Sequence, residues 1–197
     1  MAGRSTAEFV RLFLLFSFLA ALVWLSRPTP LSVLAGAPIV LAGEAIRLWA
    51  AGHLFKTQEL ITSGPYRYTR NPLYLGRFLL FTGVGIMAWF PHRVGVAAIE
   101  LPLNLLVLAA GYLVFFGYYM PRKERIEPAR LLALHGDAYR RYNEAVPALF
   151  PTLRPWPDNG LRWKHERLAR NRETVTAVAF VVLVAVFAVK AFSGAGS

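Results

Sequence analysis

The chain is 197 residues long, 56% hydrophobic and only 17% charged, yet carries 22 Lys and Arg against 11 Asp and Glu, a net charge of +11. A soluble domain averages about 25% charged residues, and a nucleic-acid binder this basic is normally polar as well, so composition argues against both classes and no nucleic-acid partner is expected. A membrane protein whose Lys and Arg sit in its cytoplasmic loops accounts for both properties. With no cysteine, a disulfide framework, a thiolate zinc site and a cysteine nucleophile are excluded.

Five apolar stretches follow in chain order. Phe9 to Leu25 also fits a signal peptide, with Ala35-Gly36-Ala37 resembling a cleavage site, but that site lies ten residues past the run and a membrane helix is preferred. Leu31 to Ala51 carries Glu44 and Arg47, three apart on one helical face, which predicts an ion pair. Pro72 to Phe90 is apolar apart from Arg77. Val94 to Met120 is longer than a span needs; Pro102 predicts a kink or interfacial lead-in, and Glu100 is read as interfacial. Val175 to Phe192 is last. Each reaches or approaches the ~20 residues that cross a bilayer.

The expected fold is therefore all-α: a polytopic membrane protein with about five transmembrane helices and a cytoplasmic helical segment before the last span. Residues 1–51 hold two helices, 52–151 a core, and 152–197 a Pro-rich link, a surface helix and the last span. With the amino terminus inside, 18 of the 22 Lys and Arg fall on one side, and only Arg27, Arg93 and Lys190 on the other, Arg47 being within a span. The positive-inside rule then puts the amino terminus in the cytoplasm and the chemistry at the cytoplasmic face.

Two polar segments stand out there. Gly64 to Gly76 (GPYRYTRNPLYLG) packs Tyr66, Tyr68, Tyr74, Arg67, Arg70, Pro65 and Pro72 into a rigid turn. Tyr and Arg are ordinary interface anchors, but this density also suits a planar heterocycle and an anionic group. Arg122 to Pro151 predicts two short helices lying on the membrane, interrupted at His135-Gly136-Asp137, with Glu127 among basic residues as a ligand contact. The four histidines lack metal-ligand spacing, so no metal site is expected. Gly83-Val84-Gly85 sits inside an apolar span and reads as close helix packing.

Together these segments resemble the bacterial relatives of isoprenylcysteine carboxyl methyltransferases and phospholipid N-methyltransferases, small membrane enzymes that use S-adenosylmethionine. The hallmark "TSGPYRYxRHPxYLG" is matched from Thr62 to Gly76, and a glutamate followed by "FGxxYxxYxxxVPxxxP" is matched by Glu127, Gly136, Tyr139, Tyr142, Val146, Pro147 and Pro151. The resemblance runs from about Glu44 to Pro151 and leaves the last span outside it. It implies methyl transfer to a lipid or lipidated acceptor, and makes 52–151 a methyltransferase core. It implies that the cofactor is held by Gln58, Glu59, Leu60, Ile61, Tyr66, Asn71, Pro72, Leu73, Tyr74 and Glu127. Lys123 matches the family's substrate-side arginine, with Arg122 beside it, and Arg70 completes the expected catalytic set. Asn71 stands where the family usually has histidine, and Pro128 follows Glu127 where relatives often have more acid, which predicts a single working carboxylate. Membrane sterol reductases, which use NADPH, carry a similar "RHPNYLG" segment, but the Gly64-Pro65-Tyr66 start and the small size favour the methyltransferase. A catalytically silent scaffold is the third option.

Overall fold

The structure, a computed structural model, describes residues 17, 20–55, 59–90, 93–96, 99–171 and 173–193. The expected span Phe9 to Leu25 lies mostly outside them, and residues 20–25 are helical.

Helix α1 (Pro30–His53) begins where sequence dictates: the Thr29 hydroxyl accepts from the Ser32 amide and the Ser32 hydroxyl accepts from the Thr29 amide, with Pro30 in the first turn. Helix α2 (Pro72–Met87) also starts on a proline and spans 16 residues, roughly 24 Å at ~1.5 Å per residue. The two are packed along their length, and glycines set how closely. A Cβ on Gly83 would lie 2.7 Å from the Gly36 carbonyl oxygen, and one on Gly76 would lie 2.7 Å from that of Gly43, so the backbones touch at two points seven residues apart.

Residues expected to open the next span as helix instead form a two-stranded antiparallel hairpin, β1 (Arg93–Val96) and β2 (Ile99–Pro102), paired Arg93 to Pro102 and Val96 to Ile99. Glu100 thus lies in a strand. Val94, Val96 and Ile99 are β-branched, and Pro102 ends the hairpin as the residue before the helix.

Helix α3 (Leu103–Val114), a π-helical turn (Phe115–Tyr119) and α4 (Met120–Ala145) then run on without interruption. The expected pair of surface helices is corrected here: the first extends directly from the membrane helix. The predicted break is present at Gly136, whose φ of 53° and ψ of −131° are open to glycine and divide α4 in two. After an extended segment come α5 (His165–Asn171) and α6 (Glu173–Phe192).

The architecture is all-α apart from the hairpin. Among the described residues three helices are long and apolar enough to cross a membrane, Pro30–His53, Leu103–Ala145 and Glu173–Phe192, with Pro72–Met87 a shorter apolar helix. Val175, Val178, Val181 and Val189 on α6 and Leu113 on α3 are exposed, as lipid-facing surfaces are. The chain is an integral membrane protein. One end of the bundle holds Ser26, Trp89 and Lys190, where the Lys190 ammonium donates to the Ser26 carbonyl at 2.6 Å and the Arg27 amide to that of Trp89 at 2.5 Å. The polar loops lie at the other.

Helix α6 is not an appendage. Phe187 is fully buried against Val33, Val40, Leu80 and Met87. Within the bundle, Arg47 pairs with Glu173 at the start of α6 as well as with Glu44, whose carboxylate is 3.5 Å away. The sequence reading found only the intrahelical half of this triad, since Glu173 is 126 positions distant. All three side chains are nearly inaccessible. Glu173→Ala leaves the guanidinium without its cross-helix partner and is expected to cost about 3 kcal/mol, read as a lowered thermal midpoint in detergent.

Candidate functional site

The tyrosine-arginine turn is built by the chain that returns to it 80 residues later. Ser63 leads into a 3₁₀ turn, Gly64–Arg67, in which Gly64 has φ 56° and a Cβ would strike the His53 ring. Residues 146–156 then lie alongside it: the Arg70 amide donates to the Pro147 carbonyl (2.9 Å), the Thr152 amide to that of Tyr68 (2.9 Å), and the Trp156 amide to that of Arg67 (2.9 Å). The prolines that keep this segment extended thus give the turn an edge partner. The Tyr142 hydroxyl donates to the Tyr66 carbonyl at 2.7 Å. Tyr66 is buried, and burial, reinforced by the neighbouring Tyr142, pushes its phenol well above the ordinary tyrosine range, so it stays neutral.

These constraints correct the reading of the arginines as interface groups. Arg67 donates from Nε to the Trp156 carbonyl at 2.8 Å and faces Asp158 at 3.8 Å. Arg70 uses each nitrogen of its guanidinium: Nε on the Val146 carbonyl at 2.9 Å, Nη1 on Asn143 Oδ1, and Nη2 on Glu124 Oε2 at 2.8 Å. With three of its five N–H groups committed to these partners it frames the turn, and it also lines the cavity described next.

Between this turn and α4 lies a cavity of about 450 Å³. One wall is Glu59, Leu60 and Ile61 with Tyr66; another is Asn71, Pro72, Leu73 and Tyr74 at the start of α2; Lys123, Glu124, Glu127 and His135 of α4 face them. All the expected cofactor residues therefore converge except Gln58, which lies outside the described residues. Lys123 bridges the walls, donating to Asn71 Oδ1 and Glu127 Oε2, with its ammonium 5.0 Å from the centre of the Tyr74 ring. The Asn71 amide nitrogen donates to Glu124 Oε1 at 2.9 Å and to the Ala148 carbonyl at 2.7 Å. Arg122 does not line this cavity; it lines a neighbouring cleft.

Glu124 is a further carboxylate in the cavity wall, where a single one was expected, and it is paired with Arg70. It lies three residues before Glu127 and lines the cavity beside it, where sequence reading looked only on the far side, at Pro128. His135, expected at the surface, also lines the cavity, and its Nε2 is buried without a hydrogen-bond partner. The signal was available: Glu124, Glu127, Leu131 and His135 recur at steps of three, four and four, one stripe of a helix. Among the described residues no group of three or more His, Cys, Asp or Glu is placed to hold a metal ion.

The phospholipid methyltransferase family matches this sequence over residues 32–117, which takes in α1, the turn, α2 and α3, and is consistent with a membrane protein related to the isoprenylcysteine and phospholipid methyltransferases. Two curated proteins are similar over 109 residues, 54% of this chain. The nickel-cobalt-cadmium resistance protein NccN of Alcaligenes xylosoxydans xylosoxydans is 31% identical over 44% of its length. The cobalt-zinc-cadmium resistance protein CzcN of Cupriavidus metallidurans is 33% identical over 43% of its length. The match thus spans less than half of each relative. No solved structure matches the chain.

Proposed function

We propose that the protein transfers a methyl group from S-adenosylmethionine to a lipidic or membrane-partitioned acceptor, such as a prenylcysteine carboxylate or a phospholipid amine, at the cytoplasmic face of a bacterial inner membrane. One observation carries this reading: the two motif segments, about 50 residues apart in sequence, form facing walls of one cavity at the polar-loop end of the bundle.

The cavity suits the cofactor. Its size falls within the ~300–1,000 Å³ of small-molecule sites. Glu124 and Glu127 are paired with Arg70 and Lys123, which leaves the Glu59 carboxylate to suit a sulfonium cation, and the His135 Nε2 offers a hydrogen bond to a polar ligand. In this reading Gln58 to Ile61, Tyr66 and Asn71 to Tyr74 hold the cofactor from one side and Glu127 from the other. When bound, S-adenosylmethionine supplies an activated methyl group for in-line displacement. The chain's own residues align: Arg70 and Asn71 fix the turn to α4, and Lys123, with Arg122 beyond it, faces the acceptor. Such positioning supplies much of a displacement's rate. A carboxylate acceptor needs no base, whereas an ammonium must lose a proton first.

Binding tests this reading before any acceptor is known. At a ligand concentration of about 100 Kd, S-adenosylmethionine is expected to stabilise the detergent-solubilised protein by about 2.7 kcal/mol, seen as a raised thermal midpoint, with heat release in calorimetry. NADPH is expected to leave the midpoint unchanged. Stabilisation by NADPH alone would move the protein to the reductase class, and a folded sample indifferent to both would leave the scaffold.

A further inference from the structure

The extended segment that follows α4 reaches the level of the apolar helices. Phe150 stacks on Phe116 with ring centres 6.5 Å apart and meets Phe78 edge-on at 6.0 Å. Phe116 lies six residues before Arg122, the first cation of its helix, and Phe78 lies six residues past Pro72, where α2 begins. At ~1.5 Å per residue, both helices put these rings roughly 9 Å to the apolar side of the charged level. Arg77, the charge on that stretch of α2, turns back over the Tyr74 ring at 5.1 Å. Phe150 is nevertheless 58% exposed, and Leu153, in the bend that follows, is 99% exposed.

Extended backbone enters hydrocarbon only when its N–H and C=O groups are satisfied by protein, because each unpaired group is costly there. This segment is prepared in two ways. Four consecutive carbonyls each receive a donor from the tyrosine-arginine turn. Arg70 Nε donates to that of Val146 (2.9 Å), the Arg70 amide to Pro147 (2.9 Å), Asn71 Nδ2 to Ala148 (2.7 Å) and the Thr69 hydroxyl to Leu149 (2.9 Å). Prolines at 147, 151 and 155 remove the amide donor at three positions, and the Thr152 amide is spent on the Tyr68 carbonyl.

We propose that residues 146–155 form an elbow inserted in the membrane, with Phe150 and Leu153 facing the acyl chains of the leaflet at the polar-loop end. Continuity identifies the occupant as lipid: through Phe116 the patch joins the exposed face of α3, where Leu113 is 75% exposed. Trp49 and Tyr68, in ring contact at 6.4 Å, flank the elbow as interfacial aromatics do. The consequence for the site is mechanical. The bilayer holds the segment whose hydrogen bonds fix the turn carrying Tyr66 and Asn71. This contact concerns how the chain sits in lipid and stands whether or not the cavity takes S-adenosylmethionine.

The test uses the full chain in liposomes. With no native cysteine, Leu153→Cys, Leu113→Cys and Arg141→Cys each offer a single thiol for a nitroxide label, all at exposed positions that the fold tolerates. Relaxation of each label by oxygen, which concentrates in lipid, is compared with relaxation by a neutral nickel chelate, which stays in water. The Leu113 position marks lipid, and the Arg141 position, past the break at Gly136, marks water. The label at position 153 is expected to follow that at 113, with an oxygen-to-nickel ratio several-fold above that at 141. A ratio equal to that at 141 overturns the proposal. So does protection from both reagents with dipolar broadening that vanishes on dilution with unlabelled protein, which would put a second copy of the chain on the elbow.

Discussion

Arg70→Gln is expected to cost about 3 kcal/mol of stability and to weaken cofactor binding about a hundredfold. Three separate acceptors lose their donor at once: the Val146 carbonyl, Asn143 Oδ1 and the Glu124 carboxylate. Hydrogen bonds to charged groups contribute about 1.5–3 kcal/mol each, but the Arg70 and Glu124 side chains retain some exposure, which moderates the loss. The binding effect follows from what Arg70 connects. It ties the turn carrying Tyr66 and Asn71 to the helix carrying Glu124, so the cavity walls separate when it is lost. Arg70→Lys is not expected to rescue, because an ammonium lacks the planar fork that reaches all three acceptors. Unfolding followed by far-ultraviolet circular dichroism and calorimetric titration with S-adenosylmethionine read the two effects independently. Full binding by a destabilised Arg70→Gln protein would show that the guanidinium does not shape the cavity.

Gly83→Leu is expected to be at least as damaging to stability, at about 3 kcal/mol or more, though the residue is far from the cavity. The new side chain has nowhere to go, since even its Cβ meets the Gly36 carbonyl oxygen at 2.7 Å and a Val40 methyl at 2.6 Å. The backbone oxygen cannot rotate aside, so α1 and α2 must part. Gly83→Ala is expected to lie between Leu and wild type. Denaturation in mixed micelles ranks the three, and an alanine variant as stable as wild type would refute the close crossing.

Much of the site was legible because its residues are local. Gly64 to Gly76 is a run of turn formers, tyrosines and arginines, and the structure keeps that run together as a 3₁₀ turn feeding α2. Glu127 stood out as an acid among basic residues, Lys123 came only from the family resemblance, and the break at Gly136 came from the interruption of helical spacing. What escaped was long-range pairing. Beside side-chain partners distant in sequence, Arg67 and Arg70 are held by the carbonyls of residues 156 and 146 respectively, and a carbonyl leaves no trace in side-chain chemistry. Glu173 escaped because a charge at the end of an apolar run reads as interfacial until the neighbouring helix is known to present Arg47. The hairpin at residues 93–102 was missed because Val, Ile and Leu satisfy a hydropathy criterion for either helix or strand.

The basic excess is likewise divided differently from its first reading. Arg67 and Arg70 hold the turn, Arg47 joins helices inside the bundle, and Arg122 and Arg130 line the cleft beside the cavity. The central claim, methyl transfer to a membrane acceptor, is tested most directly by supplying methyl-tritiated S-adenosylmethionine to the protein in liposomes made from total bacterial lipid, with and without prenylcysteine analogues. The expected result is tritium in the organic-extractable fraction, lost in Glu127→Ala protein that remains folded. Label confined to the aqueous phase for every acceptor, with wild-type protein shown to be folded, would contradict it.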